Sequence, residues 1–93
     1  MGSINTTFTP VTRFKLEKML NERNIKYANI YECTSEHINI KKNTENGLVF
    51  IEIYPDNTIH GYSCRIIVTN NNHGYMDTDR ITPINEILDS FFG

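Results

Sequence analysis

The order of apolar and polar positions along the chain predicts a helix, a run of strands and a second helix. Thr9-Pro10 is typical of a helix start, with Thr as the N-cap and Pro at the first helical position. Residues 11–23 are mostly good helix formers and carry an imperfect apolar stripe. These signals predict the first helix.

The second helix is predicted from a more regular stripe near the C-terminus. Its apolar positions follow the spacing i, i+3, i+4, i+7 and i+8, at Ile84, Ile87, Leu88, Phe91 and Phe92. Thr82-Pro83 repeats the Thr-Pro start of the first helix. We therefore expect an amphipathic helix with one face to bury.

Four segments between the helices favour strands because β-branched and aromatic residues dominate them or alternate with polar ones. They are residues 27–33, 37–41, 48–54 and 58–68. Residues 34–36 are a predicted turn, Asn46-Gly47 favours a tight hairpin, and Tyr75-Met76 suits a further short strand. The fold class expected is α+β, with an antiparallel sheet of three to four strands and the C-terminal helix packed on one face of it.

The length of 93 residues allows one small domain and one core, so we assign residues 1–93 to a single α+β domain. Residues 1–8 are expected to be a flexible N-terminus, and Met1-Gly2-Ser3 has the character of a tag remnant. Asn occurs 12 times and Ala once, a bias typical of AT-rich coding and a low-GC source. No apolar run is long enough for a membrane span and no signal peptide is evident, which favours the cytoplasm of a bacterial host cell.

The net charge of −2 argues against a uniformly basic nucleic-acid binder. The charge is uneven, however, since residues 1–46 sum to +2 and residues 47–93 to −4. A nucleic-acid-binding module using the basic N-terminal half is therefore an alternative function. Its phosphate-contacting residues would be Arg13, Lys15, Lys18, Arg23, Lys26, Lys41 and Lys42.

Two Cys/His couples in mirrored spacing form a weak metal alternative. They are Cys33-x3-His37 and His60-x3-Cys64. On extended strands, residues i and i+4 lie about 13 Å apart, too far to bind one ion without intervening turns. We expect no cofactor and no metal; the two cysteines are expected to be reduced thiols, with a single bridge as the other possibility.

Enzyme chemistry has little support in the sequence. His60 and Asp56 fall near one hairpin, but no nucleophile elbow or glycine-rich phosphate loop stands beside them. A chain of this size also encloses no large substrate cavity. The sequence therefore favours a protein that is not an enzyme.

The leading hypothesis is a small non-catalytic binding protein that acts through a protein–protein interaction. Tyrosine is enriched at interfaces, and some tyrosines on alternating strands must point away from the helices. The residues expected to bind the partner are Tyr54, Tyr62, Asn71, His73, Tyr75, Asp77 and Asp79.

A more specific form of this hypothesis follows from the small size and the coding bias. The protein would be a phage or mobile-element accessory protein that inhibits a host defence nuclease, in the manner of anti-CRISPR proteins. No membrane contact is expected, and a homodimer through an exposed strand edge stays open.

Overall fold

The computed structural model describes residues 6–45, 47–70 and 73–92, which form one sheet and two helices. The two helices are α1, Pro10–Glu22, and α2, Ile84–Phe92. The strands are β1, Ala28–Glu32; β2, Ser35–Thr44; β3, Gly47–Pro55; β4, Tyr62–Asn70; and β5, His73–Asp79. All neighbouring strands are antiparallel, and the order in the sheet is β1-β2-β3-β4-β5.

The predicted α+β class and helix–sheet–helix order are confirmed, but the sheet has five strands where three to four were expected. The difference lies at β5, where Tyr75-Met76 is the middle of a seven-residue strand. β5 pairs with β4 along its full length, from Asn70 opposite His73 to Cys64 opposite Asp79. Polar residues fill much of β5, so pairing with a neighbour stabilises a strand that its own sequence predicts weakly.

The core lies between one face of the sheet and both helices. The alternation along β3 directs Val49, Ile51 and Ile53 to this face, and all three are buried. The helices contribute Leu16 and Leu20 from α1, and Ile84, Ile87 and Leu88 from α2, to the same cluster. The opposite face of the sheet is therefore left without a described helix, and we call it the open face.

The two Thr-Pro sequences behave differently. Thr9 caps α1, and its hydroxyl accepts a hydrogen bond from the Thr12 N–H at 3.2 Å, as predicted. At α2 the first helical carbonyl is that of Pro83, which accepts from the Ile87 N–H at 3.4 Å. The N–H of Thr82 instead donates a hydrogen bond to the carboxylate of Asp79 at 2.8 Å. The last residue of β5 therefore holds the backbone just before α2.

The turn between β1 and β2 is shorter and earlier than predicted. Glu32 and Ser35 are the last paired residues, which leaves a two-residue loop of Cys33 and Thr34. Both have positive φ, 49° and 69°, as a type I′ turn requires, although neither is the Asn or Gly that favours this geometry. The alternation of side chains between faces therefore runs through Ser35 and Glu36, which the sequence placed in the turn.

Part of the segment expected to be flexible is packed against the domain. Phe8 is buried in the core, and its N–H donates to the carboxylate of Glu36 at 2.6 Å. The carbonyl of Thr6 accepts from the backbone N–H of Glu36 at 2.8 Å. This contact gives the backbone N–H of Glu36 a hydrogen-bond partner at a position where β2 no longer pairs with β3.

Candidate functional site on the open face of the sheet

The register of the strands brings the open-face side chains into rows that cross the sheet. In one row Lys41, Phe50, Ile67 and Met76 lie side by side on four neighbouring strands. Phe50 and Ile67 are half-buried, and Met76 is 63% exposed. We call Phe50, Ile67 and Met76 the apolar row, a strip of apolar surface that faces away from the core.

A polar cluster lies next to the apolar row on the same face. It consists of His37 on β2, Glu52 and Tyr54 on β3, and Arg65 on β4. The rings of His37 and Tyr54 stack with their centroids 4.8 Å apart. The Tyr54 hydroxyl donates to a carboxylate oxygen of Glu52 at 3.1 Å, which fixes both side chains.

Arg65 completes the polar cluster by stacking. Its guanidinium lies over the Tyr54 ring, 5.1 Å from the centroid, and one terminal nitrogen is 3.9 Å from Glu52. Its Nε is buried, and no described residue offers it a hydrogen-bond partner. The orientation of this arginine is therefore set mainly by the aromatic ring beneath it, and part of the side chain faces outward.

The surroundings of Tyr54 favour the protonated form of its hydroxyl. Burial raises the pKa of the Tyr54 hydroxyl, and the neighbouring Glu52 carboxylate raises that pKa further. The second Glu52 oxygen is 3.8 Å from Nε2 of His37. The cluster thus combines an aromatic pair, a carboxylate and a guanidinium within one small area.

A cleft of about 360 Å³ opens beside the polar cluster. Its walls mix hydroxyl, charged and aromatic groups, among them His37, Tyr54, Asp56, Ser63, Arg65 and Thr78. Cys64, next to Ser63 and Arg65 in β4, is buried in the core on the other side of the sheet. The arrangement suits recognition of a complementary surface by aromatic contact and hydrogen bonding.

The residues predicted to bind a partner are dispersed. Tyr54 lies on the open face, whereas Tyr62 is buried on the helix face. Asn71 lies outside the described residues, and so do the side chains of His73 and Tyr75. Asp77 and Asp79 pair with core-facing positions of β4, which places them on the helix side of the sheet.

Tyr62 has a structural role. Its hydroxyl accepts a hydrogen bond from the Ile84 N–H at 2.8 Å, at the first residue of α2. Burial raises the pKa of this hydroxyl, while the hydrogen bond from Ile84 acts in the opposite direction. Tyr62 therefore fixes the helix to the sheet and takes no part in the open face.

Asp79 also has a structural role. Its carboxylate accepts from the N–H groups of Ile81 and Thr82, at 2.9 and 2.8 Å. The hydrogen bonds from Thr82 and Ile81 lower the pKa of Asp79. Asp77 is exposed on the same edge strand.

The basic residues of the N-terminal half do not form one surface. Arg13 pairs with Glu36, Arg23 pairs with Asp89, and Lys42 donates to the carbonyl of Phe91 at 2.6 Å. Lys41 lies on the open face, on the other side of the sheet from Lys42 and from α1. Four members are exposed and lie on or just after α1, namely Lys15, Lys18, Arg23 and Lys26, and of these Lys18 also pairs with Glu22 at 3.9 Å.

The four residues of the metal alternative are not brought together. His37 is on the open face and Cys64 is buried in the core on the opposite face. Cys33 is exposed in the first turn, and His60 lies in the loop before β4, with Nε2 2.9 Å from the carbonyl of Ile81. Burial raises the pKa of the Cys64 thiol to about 12. Within the described ranges no three His, Cys, Asp or Glu side chains form a metal-binding group.

Sequence reasoning missed most of the open-face residues, because it singled out tyrosines and exposed loops. The signal that identifies Phe50, Ile67 and Arg65 is the alternation along each strand combined with the register between strands.

Neither described helix is long and apolar enough to cross a bilayer. Comparison with protein-family models, curated proteins and solved structures finds no match to this chain.

Proposed function

We propose that this protein is a small non-catalytic binding protein that acts through a protein–protein interaction, and that its binding surface is the open face of the sheet. The observation that supports the proposal is the apolar row directly beside the polar cluster, on a face without a described helix. Aromatic residues, Met and Arg are the types enriched at protein interfaces. All three occur here, at Phe50, Tyr54, Met76 and Arg65.

The two parts of this face have different tasks. The apolar row supplies area to remove from water, at roughly 25 cal/mol per Å². The polar cluster supplies orientation, because Arg65 and His37 are held by the Tyr54 ring before a partner arrives. The partner we expect has an apolar centre bordered by a carboxylate that reaches Arg65.

Affinity capture with paired variants tests the proposal. Full-length tagged protein is incubated with low-GC bacterial lysate at about 0.15 M salt, with and without nuclease treatment, beside Ile67→Lys and Ile59→Lys. Ile67 is in the apolar row, whereas Ile59 is 91% exposed in the loop before β4. We expect a partner that survives nuclease, is lost with I67K and is retained with I59K.

Two results would contradict the proposal. A partner retained equally by both variants would place the binding surface elsewhere. Recovery of nucleic acid, with every protein lost after nuclease treatment, would favour the nucleic-acid alternative and its exposed lysines Lys15, Lys18 and Lys26. Both variants are first compared with the unmodified protein by circular dichroism, so that unfolding is recognised.

The more specific form of the proposal is inhibition of a host defence nuclease, and it is supported by the size and the coding bias of the chain. It predicts that the protein slows DNA cleavage by an RNA-guided nuclease of a low-GC bacterium in a purified assay. I67K would lose this inhibition and I59K would keep it. Undiminished cleavage at a large excess of protein would exclude that nuclease as the target.

A further inference from the structure

The outer edge of β1 presents backbone groups that no other described residue binds. β1 is at the end of the sheet, and its one neighbour is β2. The two-residue turn makes Glu32 and Ser35 a hydrogen-bonded pair, so the alternation of an antiparallel ladder directs the N–H and C=O of Tyr31 and Asn29 away from β2. Glu36 agrees with this alternation, since its N–H points away from β1 and donates to Thr6.

The two edges of the sheet differ in their protection. β5, at the other edge, carries Asp77 and Asp79 on its helix side, and charges at such positions oppose the addition of a strand. The helix-side residues of β1 itself, Asn29 and Tyr31, are uncharged. Tyr31 is 59% exposed, with Arg13 of α1 over its ring, and Phe14 of α1 is 67% exposed. Together they border a hollow of about 410 Å³. β1 is therefore the more receptive edge.

We propose that β1 pairs with β1 of a second copy of this chain, forming a two-fold symmetric dimer with one continuous ten-stranded antiparallel sheet. With the two-fold axis at Ile30, Tyr31 lies opposite the partner's Asn29, and Asn29 lies opposite the partner's Tyr31. These are the residues whose backbone groups point outward. The edge is thus self-complementary, as a two-fold interface requires.

Charge complementarity supports this register. In this register Glu32 lies opposite the partner's Ala28. Lys26 is two residues before Ala28, and its side chain points to the same face as that of Ala28 if the strand is extended to Lys26. Glu32 is therefore diagonal to the partner's Lys26, a distance that long side chains bridge. Both residues are exposed in the single chain, and symmetry makes the contact twice.

Apolar contact adds to the pairing on both sides of the sheet. Ile30 faces the partner's Ile30 in a pair without hydrogen bonds, where side chains approach most closely. On the helix side, the ring of Tyr31 enters the region beside the partner's Asn29. Within each chain the Asn29 amide donates to Glu17 of α1 at 3.4 Å. Glu17 is one turn after Phe14, so the dimer shields both exposed rings.

Sedimentation equilibrium of the full chain tests the dimer, with Glu32→Lys, Lys26→Glu and the double variant. Each single reversal replaces two attractive contacts by two repulsive ones, so we expect each to raise the dimer Kd about tenfold. The double variant restores opposite charges and is expected to return to within about threefold of the unmodified protein. Ile67→Lys, on the open face, leaves the Kd unchanged and controls for a dimer formed through that face.

Three outcomes would overturn the proposal. A monomer at every concentration up to about 1 mM rejects self-pairing, and leaves a foreign strand as the occupant of this edge. A dimer whose Kd is indifferent to both single reversals uses another surface. A double variant weaker than either single variant shows that the charges act within one chain. Urea denaturation of each variant verifies that the fold itself is retained.

Discussion

Arg13 on α1 pairs with Glu36 on β2, whose carboxylate is only 3% exposed. The other oxygen of Glu36 accepts from the Phe8 N–H. One carboxylate therefore joins the N-terminal segment, the first helix and the second strand. Breaking such a pair leaves a buried charge uncompensated, and this cost exceeds the net stabilisation of the pair itself.

We expect Arg13→Met to lower the free energy of unfolding by about 2 kcal/mol, since Arg13 is partly exposed and the value for a fully buried pair must be reduced. The double variant R13M/E36Q removes the buried charge that R13M leaves without a partner, and it keeps an acceptor for the Phe8 N–H. It should recover at least half of this loss. Urea denaturation at pH 7 measures both. Arg80→Met, which breaks the more exposed pair with Asp56, is the control and should cost less than about 0.5 kcal/mol. If R13M and R80M lose equal stability, the burial of Glu36 is without consequence.

The first hairpin turn holds non-glycine residues in a left-handed conformation. Thr34 is β-branched and has a φ of 69°, a region that costs such a residue about 1 kcal/mol or more. Replacing Cys33-Thr34 by Asn-Gly supplies the residues that a type I′ turn favours. We expect C33N/T34G to raise the free energy of unfolding by about 1–2 kcal/mol.

Thermal and urea denaturation measure this gain. Thr69→Gly is the control, because Thr69 is an exposed threonine within β4, where glycine weakens the strand and removes the hydrogen bond from the Thr69 hydroxyl to the Leu48 carbonyl. Stabilisation by C33N/T34G together with destabilisation by T69G would assign the effect to the backbone conformation. A loss of stability in both variants would contradict the strain at Thr34.

The element order could be predicted from local pattern, because each helix has a start signal or an apolar stripe of its own. β5 was underestimated because its polar residues, such as Asp77 and Thr78, favour a strand only beside β4. The turn at Cys33-Thr34 was misplaced for a related reason. The register of β1 against β2 requires a two-residue loop there, and it overrides the weak preferences of these residues.

The pattern of the sequence predicts that the sheet has an open face, but not which side chains lie on it. An open sheet face was expected, yet which tyrosine lies on it depends on the parity of each strand. Tyr54 and Tyr62 are near neighbours in sequence, but the loop between β3 and β4 resets the alternation and sends them to opposite faces. Arg13, assigned to a basic surface, is held by a carboxylate that is distant in sequence. Such pairings depend on tertiary contacts and leave no local pattern.

Asp79 should stabilise the protein through the hydrogen bonds it accepts from Ile81 and Thr82 before α2. We expect Asp79→Ala to cost about 1–2 kcal/mol, and Asp79→Asn, which keeps an acceptor, to cost less. Because the folded-state pKa of Asp79 is lowered from 3.8, its contribution is present above about pH 4 and is lost as the pH falls further. The stability difference between the unmodified protein and D79N should therefore shrink below pH 4 in urea titrations. A difference that stays constant down to pH 2 would contradict this role of the charge.

The two cysteines should differ in reactivity. Cys33 is exposed, whereas Cys64 is buried and its pKa is raised to about 12, so the thiolate that reacts with disulfide reagents is rare at Cys64. A thiol-reactive disulfide should titrate one thiol in the folded protein and two in urea, and Cys33→Ser should remove the thiol that reacts in the folded protein.

The burial of Cys64 also makes the stability of the protein depend on alkaline pH. The unfolded chain releases the Cys64 proton near pH 9 and the folded chain near pH 12, so stability falls as the pH rises between these values. Cys64→Ala, although less stable at pH 7, should show a smaller fall across this range; an equal fall in both proteins would show that the thiol of Cys64 does not cause it.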